Sequence, residues 1–179
     1  MIRKNMESLS ETLGIEIDTL WLQEKEKACE DALLETKKLI GDTEIVIDFT
    51  AYPFILSLAK LLVEHGFRVT KLYTDSMPVE EKESFTWLKE HAPEIALYPT
   101  VHASMRVMPR KQGNKVLAIG QKAAYFNDTP HFVNIVEGGG YWGYESIIKM
   151  TELLKDAYLN EKDTKSLIQI KGMGCGCCG

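Results

Sequence analysis

Between Asp18 and Ile40 the chain places Leu22, Ala28, Ala32, Leu33, Leu39 and Ile40 near helical spacing, with charged residues between them. The pattern predicts one long amphipathic helix that stops at Gly41, a residue favoured just past a helix end. The period then changes. TEIVIDFT (43–50) is a short apolar, β-branched run bounded by turn residues, which reads as a buried strand. PFILSLAKLLVEHG (53–66) has helical punctuation, with Pro53 in a first-turn position and Gly66 at the end. FRVTKLYT predicts a second strand, and MPVEEKESFTWLKEHAP a helix with acidic residues in its first turn, where the helix dipole favours them. EIALYPT, KVLAIG and HFVNIV predict three further strands. Between the last two, QKAAYFNDTP has room for about two helical turns. GYESIIKMTELLKDAYLNE closes the series as a helix.

Strands alternating with helices at this spacing predict an α/β fold: a three-layer sandwich with a mostly parallel, Rossmann-like or flavodoxin-like sheet of about five strands, preceded by the long N-terminal helix. The expected organisation is a helical arm over residues 1–41, an α/β domain over 42–162 and a C-terminal segment over 163–179. In such sheets ligands bind beyond the carboxyl ends of the strands. The loops that matter are therefore TAYP, TDSMP, PTVHAS and VEGGGYWGYE.

Composition narrows the function classes. With 179 residues, 45% hydrophobic and 26% charged, the chain can build one core with an appended arm. A net charge of −5 disfavours the broad basic surface that phosphate backbones select, so nucleic acid is not an expected partner. FILSLAKLLV is interrupted by Lys60 and too short to cross a bilayer, and MIRKNMESLSE has no secretory hydrophobic stretch, which reads as a cytoplasmic protein without a membrane partner.

Candidate chemistry gathers in a few places. Gly138, Gly139 and Gly140 run from a strand into a helix; such a run suits positive φ or very close approach of another group. It fits an anion or cofactor cradle at a helix start, and equally a tight turn that packs Tyr141, Trp142 and Tyr144 on the sheet edge. The G-x-G-x-x-G and G-x-x-x-x-G-K-[ST] fingerprints of NAD and ATP sites are absent from the sequence. Asp48, near the end of a buried strand, is either a cleft residue or a structural carboxylate satisfied by hydrogen bonds. His102 and Ser104 follow the third strand, where a binding residue or a plain polar loop would sit. Arg106, Arg110 and Lys111 form a small basic cluster that suits an acidic partner, an anionic cofactor or a solvated loop.

Of four cysteines, Cys29 sits in a helical pattern and reads as packing, while Cys175, Cys177 and Cys178 crowd the last five residues. That distribution is not a secreted disulfide framework. Thiolates interleaved with glycine suit an iron–sulfur cluster or another metal, with a fourth donor from elsewhere. A vicinal redox pair and a frayed terminus without a role are the alternatives.

The order of features, from WLQEKEKACEDALLETKKL through TEIVIDFT, EHGFRV and LYT to the turn GYWGYESIIKMTELL, resembles the nitrogenase component 1 type oxidoreductases. This family includes the nitrogenase alpha and beta chains, their cofactor-assembly scaffold relatives and the dark-operative protochlorophyllide reductase subunits. Family chains are longer and contain several such α/β domains, so the sequence looks like the C-terminal one alone. The resemblance implies an oxidoreductase component, inert alone. It would join other nitrogenase-like subunits in an oligomer around a metallocluster or tetrapyrrole site and take electrons from an ATP-dependent iron–sulfur reductase. The family's cysteines for the bridging cluster lie in a part this sequence does not contain. A cofactor-ligating histidine of catalytic alpha chains would align near Val133, whereas the nearest histidine is His131, two residues away. His131 is therefore a candidate for a shifted role or a structural histidine. The other readings of the whole are a non-catalytic carrier that holds a cluster or small ligand in the cleft and the cysteine tail, and a partner-binding domain whose aromatic turn and long first helix form a subunit interface.

Overall fold

In the computed structural model, which describes residues 2–106, 115–164 and 166–167, two helices precede the sheet, α1 (Ile2–Leu13) and α2 (Thr19–Ile40). Asp18 starts α2 by accepting hydrogen bonds from the amides of Leu20 (2.9 Å) and Trp21 (3.2 Å), two of the donors a helix start leaves unpaired. Gly41 ends it at φ +56°. The buried stripe of α2 is Leu22, Cys29, Leu33, Thr36 and Ile40. Ala28 and Leu39 fall outside it and are exposed.

The remaining elements alternate: β1 (Glu44–Asp48), α3 (Ile55–Glu64), β2 (Val69–Tyr73), α4 (Lys82–His91), β3 (Ala96–Tyr98), β4 (Val116–Ile119), α5 (Gln121–Asn127), β5 (Phe132–Val133) and α6 (Gly143–Leu159). All four strand pairings are parallel and the sheet order is β3-β2-β1-β4-β5. The expected α/β sandwich with five parallel strands is thus the observed fold. Two local expectations change. Pro53 lies just outside α3, which begins at Ile55. The acidic pair Glu80–Glu81 forms a 3-10 turn (Val79–Glu81) ahead of α4, and Glu81 is buried instead of bathing the helix start in solvent.

Strand alternation splits the core between the two faces. Ile45, Ile47, Leu72, Leu117, Ile119 and Val133 belong to a large cluster with α3, α4 and α6, behind which α2 packs along α6. Val46, Tyr73, Ala118 and Phe132 face α5, meeting Ala123, Ala124 and Met105. Each fully buried Ile, Leu or Phe contributes roughly 1.5–3 kcal/mol. The chain order reverses between β1 and β4, so the crevice of this sheet opens beyond the carboxyl ends of those two strands.

Candidate functional site

The crevice is floored by Asp48, the last residue of β1, which has no accessible surface. Its Oδ2 accepts from the Ala123 amide at 2.8 Å, and its Oδ1 accepts from the Thr50 amide at 2.9 Å and from the Thr50 hydroxyl. Ala123 lies in the first turn of α5, so the carboxylate occupies the place where a bound anion would meet that turn. Gly120, at the end of β4, allows this contact. It sits at φ +107°, and a Cβ there would lie 2.2 Å from Asp48 Oδ2. The chain thus fills its own anion position, and a phosphate brought there would face the Asp48 charge.

Around this floor, the loops after β2 and β3 are tied together. Asp75 accepts from the Val101 amide (3.1 Å) and the Thr100 hydroxyl, and Lys122 Nζ donates to Thr100 Oγ1 at 3.2 Å. Burial pushes the Asp75 carboxyl up, but the hydrogen bonds from Thr100 and Val101 and the nearby Lys122 outweigh it and hold it below the usual aspartate value. Lys122 also stands 4.3 Å over the Phe49 ring. His102 and Ser104 are exposed and bonded to each other, Nδ1 to Oγ at 2.8 Å. Asp75, Thr100 and Lys122 were missed as site residues by sequence reasoning; the signal was their placement immediately after strands or at the start of α5, within or beside the loops singled out.

The glycine run has a definite geometry. Glu137, Gly138, Gly139 and Gly140 are four consecutive residues at positive φ, +48°, +71°, +64° and +80°. The turn docks on the loop after β1: the Glu137 and Gly138 amides donate to the carbonyls of Thr50 (2.9 Å) and Ala51 (2.8 Å), while the Gly139 amide donates to Val136. A Cβ on Gly138 would meet the Tyr52 ring at 3.2 Å, and one on Gly139 would meet Ile135 at 3.0 Å. Tyr52 in turn donates to Ser146 in α6 at 3.0 Å. Close approach is therefore made by the protein's own β1 loop, and the turn turns Tyr141 and Trp142 outward to solvent.

His131 lies elsewhere. It immediately precedes β5, at the amino end of the sheet, where its Nδ1 is 2.9 Å from the Ala157 carbonyl near the end of α6 and its Nε2 is 3.7 Å from Glu161. That bond fastens β5 to α6. The structure therefore gathers Asp48, His102, Ser104, Gly138, Gly139, Gly140 and Tyr141 on carboxyl-edge loops and strand ends, and leaves His131 at the opposite edge. Cys29 is buried, donates to the Tyr144 carbonyl (3.4 Å), and burial pushes its thiol up to about 11. Cys175, Cys177, Cys178, Arg110 and Lys111 lie outside the described residues. Among the described residues, no three His, Cys, Asp or Glu side chains are grouped so as to hold a metal ion, so these residues do not by themselves fit a metallocluster. None of the described helices is long and apolar enough to cross a membrane.

No family model and no curated protein matches the sequence. Among solved structures, the chain is similar to nitrogenase Cp1 at pH 6.5, with a TM-score of 0.63 at 16% identity, over 88% of this chain and 37% of that one. The likeness is one of fold, a nitrogenase component 1 type of α/β domain, and the chain spans little more than a third of that structure's length.

Proposed function

We propose that the chain acts as one domain of a nitrogenase component 1-like oxidoreductase assembly, contributing a wall of a metallocluster or tetrapyrrole site that other subunits complete. The observation that carries this reading is the extent of the fold likeness, 88% of the chain against a nitrogenase chain. Fold alone does not confer activity, and the arrangement of side chains supports a contributing rather than a self-sufficient role. The crevice floor is occupied by Asp48, whereas the outward-turned Tyr141 and Trp142 offer apolar surface for a partner or a large planar ligand. Electrons would come from an iron–sulfur reductase; in this chain the described residues bind and shape, and no redox step is assigned to them.

Purified chain, alone and mixed with nitrogenase-like subunits and their reductase under anaerobic, ATP-supplied conditions, tests the proposal. Reduction of acetylene or protochlorophyllide only in the mixture is the expected result; equal rates with and without this chain would remove it. Trp142→Ala should weaken assembly with little change in Tm, since the side chain is 77% exposed.

A carrier role through Cys175, Cys177 and Cys178 is the second reading, favoured by the soft-ligand chemistry of GMGCGCCG. Iron, zinc and sulfide content of the full chain against one ending at Gly174 decides it: tail-dependent metal supports the carrier, and equal content in both forms rejects it.

A further inference from the structure

Helix α1 has no buried residue, whereas α2 buries five. Two side chains of α1, Ile2 and Met6, are half-buried against Leu22, Cys29 and Tyr144 in the groove between α2 and α6. Among the described residues its polar tie to the rest is Arg3, whose Nε donates to Glu26 Oε1 at 2.8 Å. The two side chains are 35% and 37% exposed, and an ion pair so open to water adds little. A helix of this length is marginal in water on its own, and Asn5, Ser8, Ser10 and Thr12 are weak helix formers. Just past its end Gly14 turns the chain at φ +64°, with nothing packed on the joint within 4 Å of where a Cβ would stand.

We infer that α1 is a releasable strap: it undocks as a unit about Gly14 while the α/β domain stays folded, and in undocking it uncovers the Cys29 thiol and Tyr144 in the first turn of α6. Two observations carry this. The first is the contrast in attachment. Elements that open locally are those with few buried apolar contacts, and α1 has two half-buried ones and one exposed ion pair. The second is that what α1 covers is held without it. Cys29 belongs to α2, which packs along α6, and its Sγ donates to the Tyr144 carbonyl at 3.4 Å. Glu26 marks the joint between strap and domain, because it accepts from Arg3 of α1 and from the Tyr144 hydroxyl of α6 at 3.0 Å. Docked, α1 shuts the groove between α2 and α6. Undocked, it leaves that groove open along the flank of the aromatic turn, two residues before which Trp142 stands exposed.

The strap does not rest on the nitrogenase-like role, and loss of one leaves the other measurable. In hydrogen exchange of the full chain, the α1 amides should exchange at least about a hundredfold faster than those of α2. Alkylation of Cys29 by N-ethylmaleimide is followed on its own peptide by mass spectrometry, so that Cys175, Cys177 and Cys178 do not interfere. Its rate should rise only weakly with urea below the unfolding transition, because undocking exposes little surface. Met6→Ala, which removes one of the two packed side chains and keeps a good helix former, should speed the labelling about tenfold. Glu26→Gln should speed it by a smaller factor, about threefold. Leu9→Ala, on a position of the same helix that is 57% exposed, should change it by less than about twofold. Exchange of α1 as slow as that of α2, labelling with the urea slope of global unfolding, a rate unmoved by Met6→Ala, or equal acceleration by Leu9→Ala would each overturn the assignment.

Discussion

Asp48 and Glu81 are both carboxylates without accessible surface, and each reaches to the third residue of a helix it does not belong to, Ala123 of α5 and Ser57 of α3. Their situations differ in what the second oxygen does. Asp48 uses both, accepting from Ala123 on one side and from the Thr50 amide and hydroxyl on the other. Glu81 accepts the Ser57 amide through Oε1 at 2.7 Å, while its buried Oε2 has no hydrogen-bond partner among the described residues. A buried carboxylate is stabilising only when its acceptor capacity is met. Asp48 therefore locks the sheet crevice, and Glu81 joins two helices with half of its acceptor capacity idle among the described residues.

The largest effect expected from this contrast is that of Asp48→Ala. Removing the carboxylate leaves the Ala123 amide and the Thr50 groups without their acceptor, at about 1–3 kcal/mol for each buried unsatisfied group. Urea unfolding should register a loss of about 3 kcal/mol or more, and Asp48→Asn a smaller one, because the amide keeps one acceptor. A loss below about 1 kcal/mol for the alanine variant would mean that water replaces the carboxylate and that the lock is illusory.

Next in size is Gly120→Ala, which combines an unfavourable φ with a Cβ placed against Asp48 Oδ2. The expected cost is about 2 kcal/mol. Much of it should vanish in the Asp48→Ala background, since the steric half of the penalty disappears with the carboxylate; an additive double mutant would show that φ alone sets the cost.

Regular periodicity and punctuation made the fold legible. The strand–helix alternation, the Asp18-to-Gly41 helix and the short α5 all followed from spacing and capping residues, because those signals are local. The site was legible only in its location. Asp48 was open between cleft residue and structural group, and the answer lies in the amide of Ala123, 75 residues away, which no local pattern encodes. The glycines were read as suiting positive φ or a close approach, with cradle and tight turn left open; all three take positive φ, and the group the turn docks on is the Thr50–Ala51 backbone of another loop. The acidic residues of MPVEEKESF were read as partners of their own helix's dipole; Glu81 is instead buried and accepts from the Ser57 amide of α3, a contact 24 residues away that no local pattern encodes.

An effect confined to low pH should come from Glu44. Its carboxyl is pushed up by partial burial in β1, but the Thr70 hydroxyl at 2.8 Å and Lys71 Nζ at 3.1 Å outweigh this and lower it below the usual glutamate value. A depressed folded value means that the stabilisation is present above the ordinary value and is lost as pH falls through the folded one. Glu44→Gln should flatten the acid limb of a stability–pH curve and leave its slope near neutrality unchanged. An acid limb of unaltered steepness would assign that sensitivity to other carboxylates, of which Asp75 is the next to test.

The smallest change is expected from Glu81→Gln, and it bears most directly on the contrast with Asp48. The glutamine carbonyl can take over the Ser57 amide, so the tie between α3 and the 3-10 turn survives, while only the idle oxygen is replaced. The shift should lie within about 1 kcal/mol of the unaltered chain, whereas Glu81→Ala, which strands the Ser57 amide, should cost about 1–2 kcal/mol. If Glu81→Gln instead destabilised the protein as much as Asp48→Ala, Oε2 would have to be engaged by a partner outside the described residues, and the two carboxylates would be alike in function as well as in geometry.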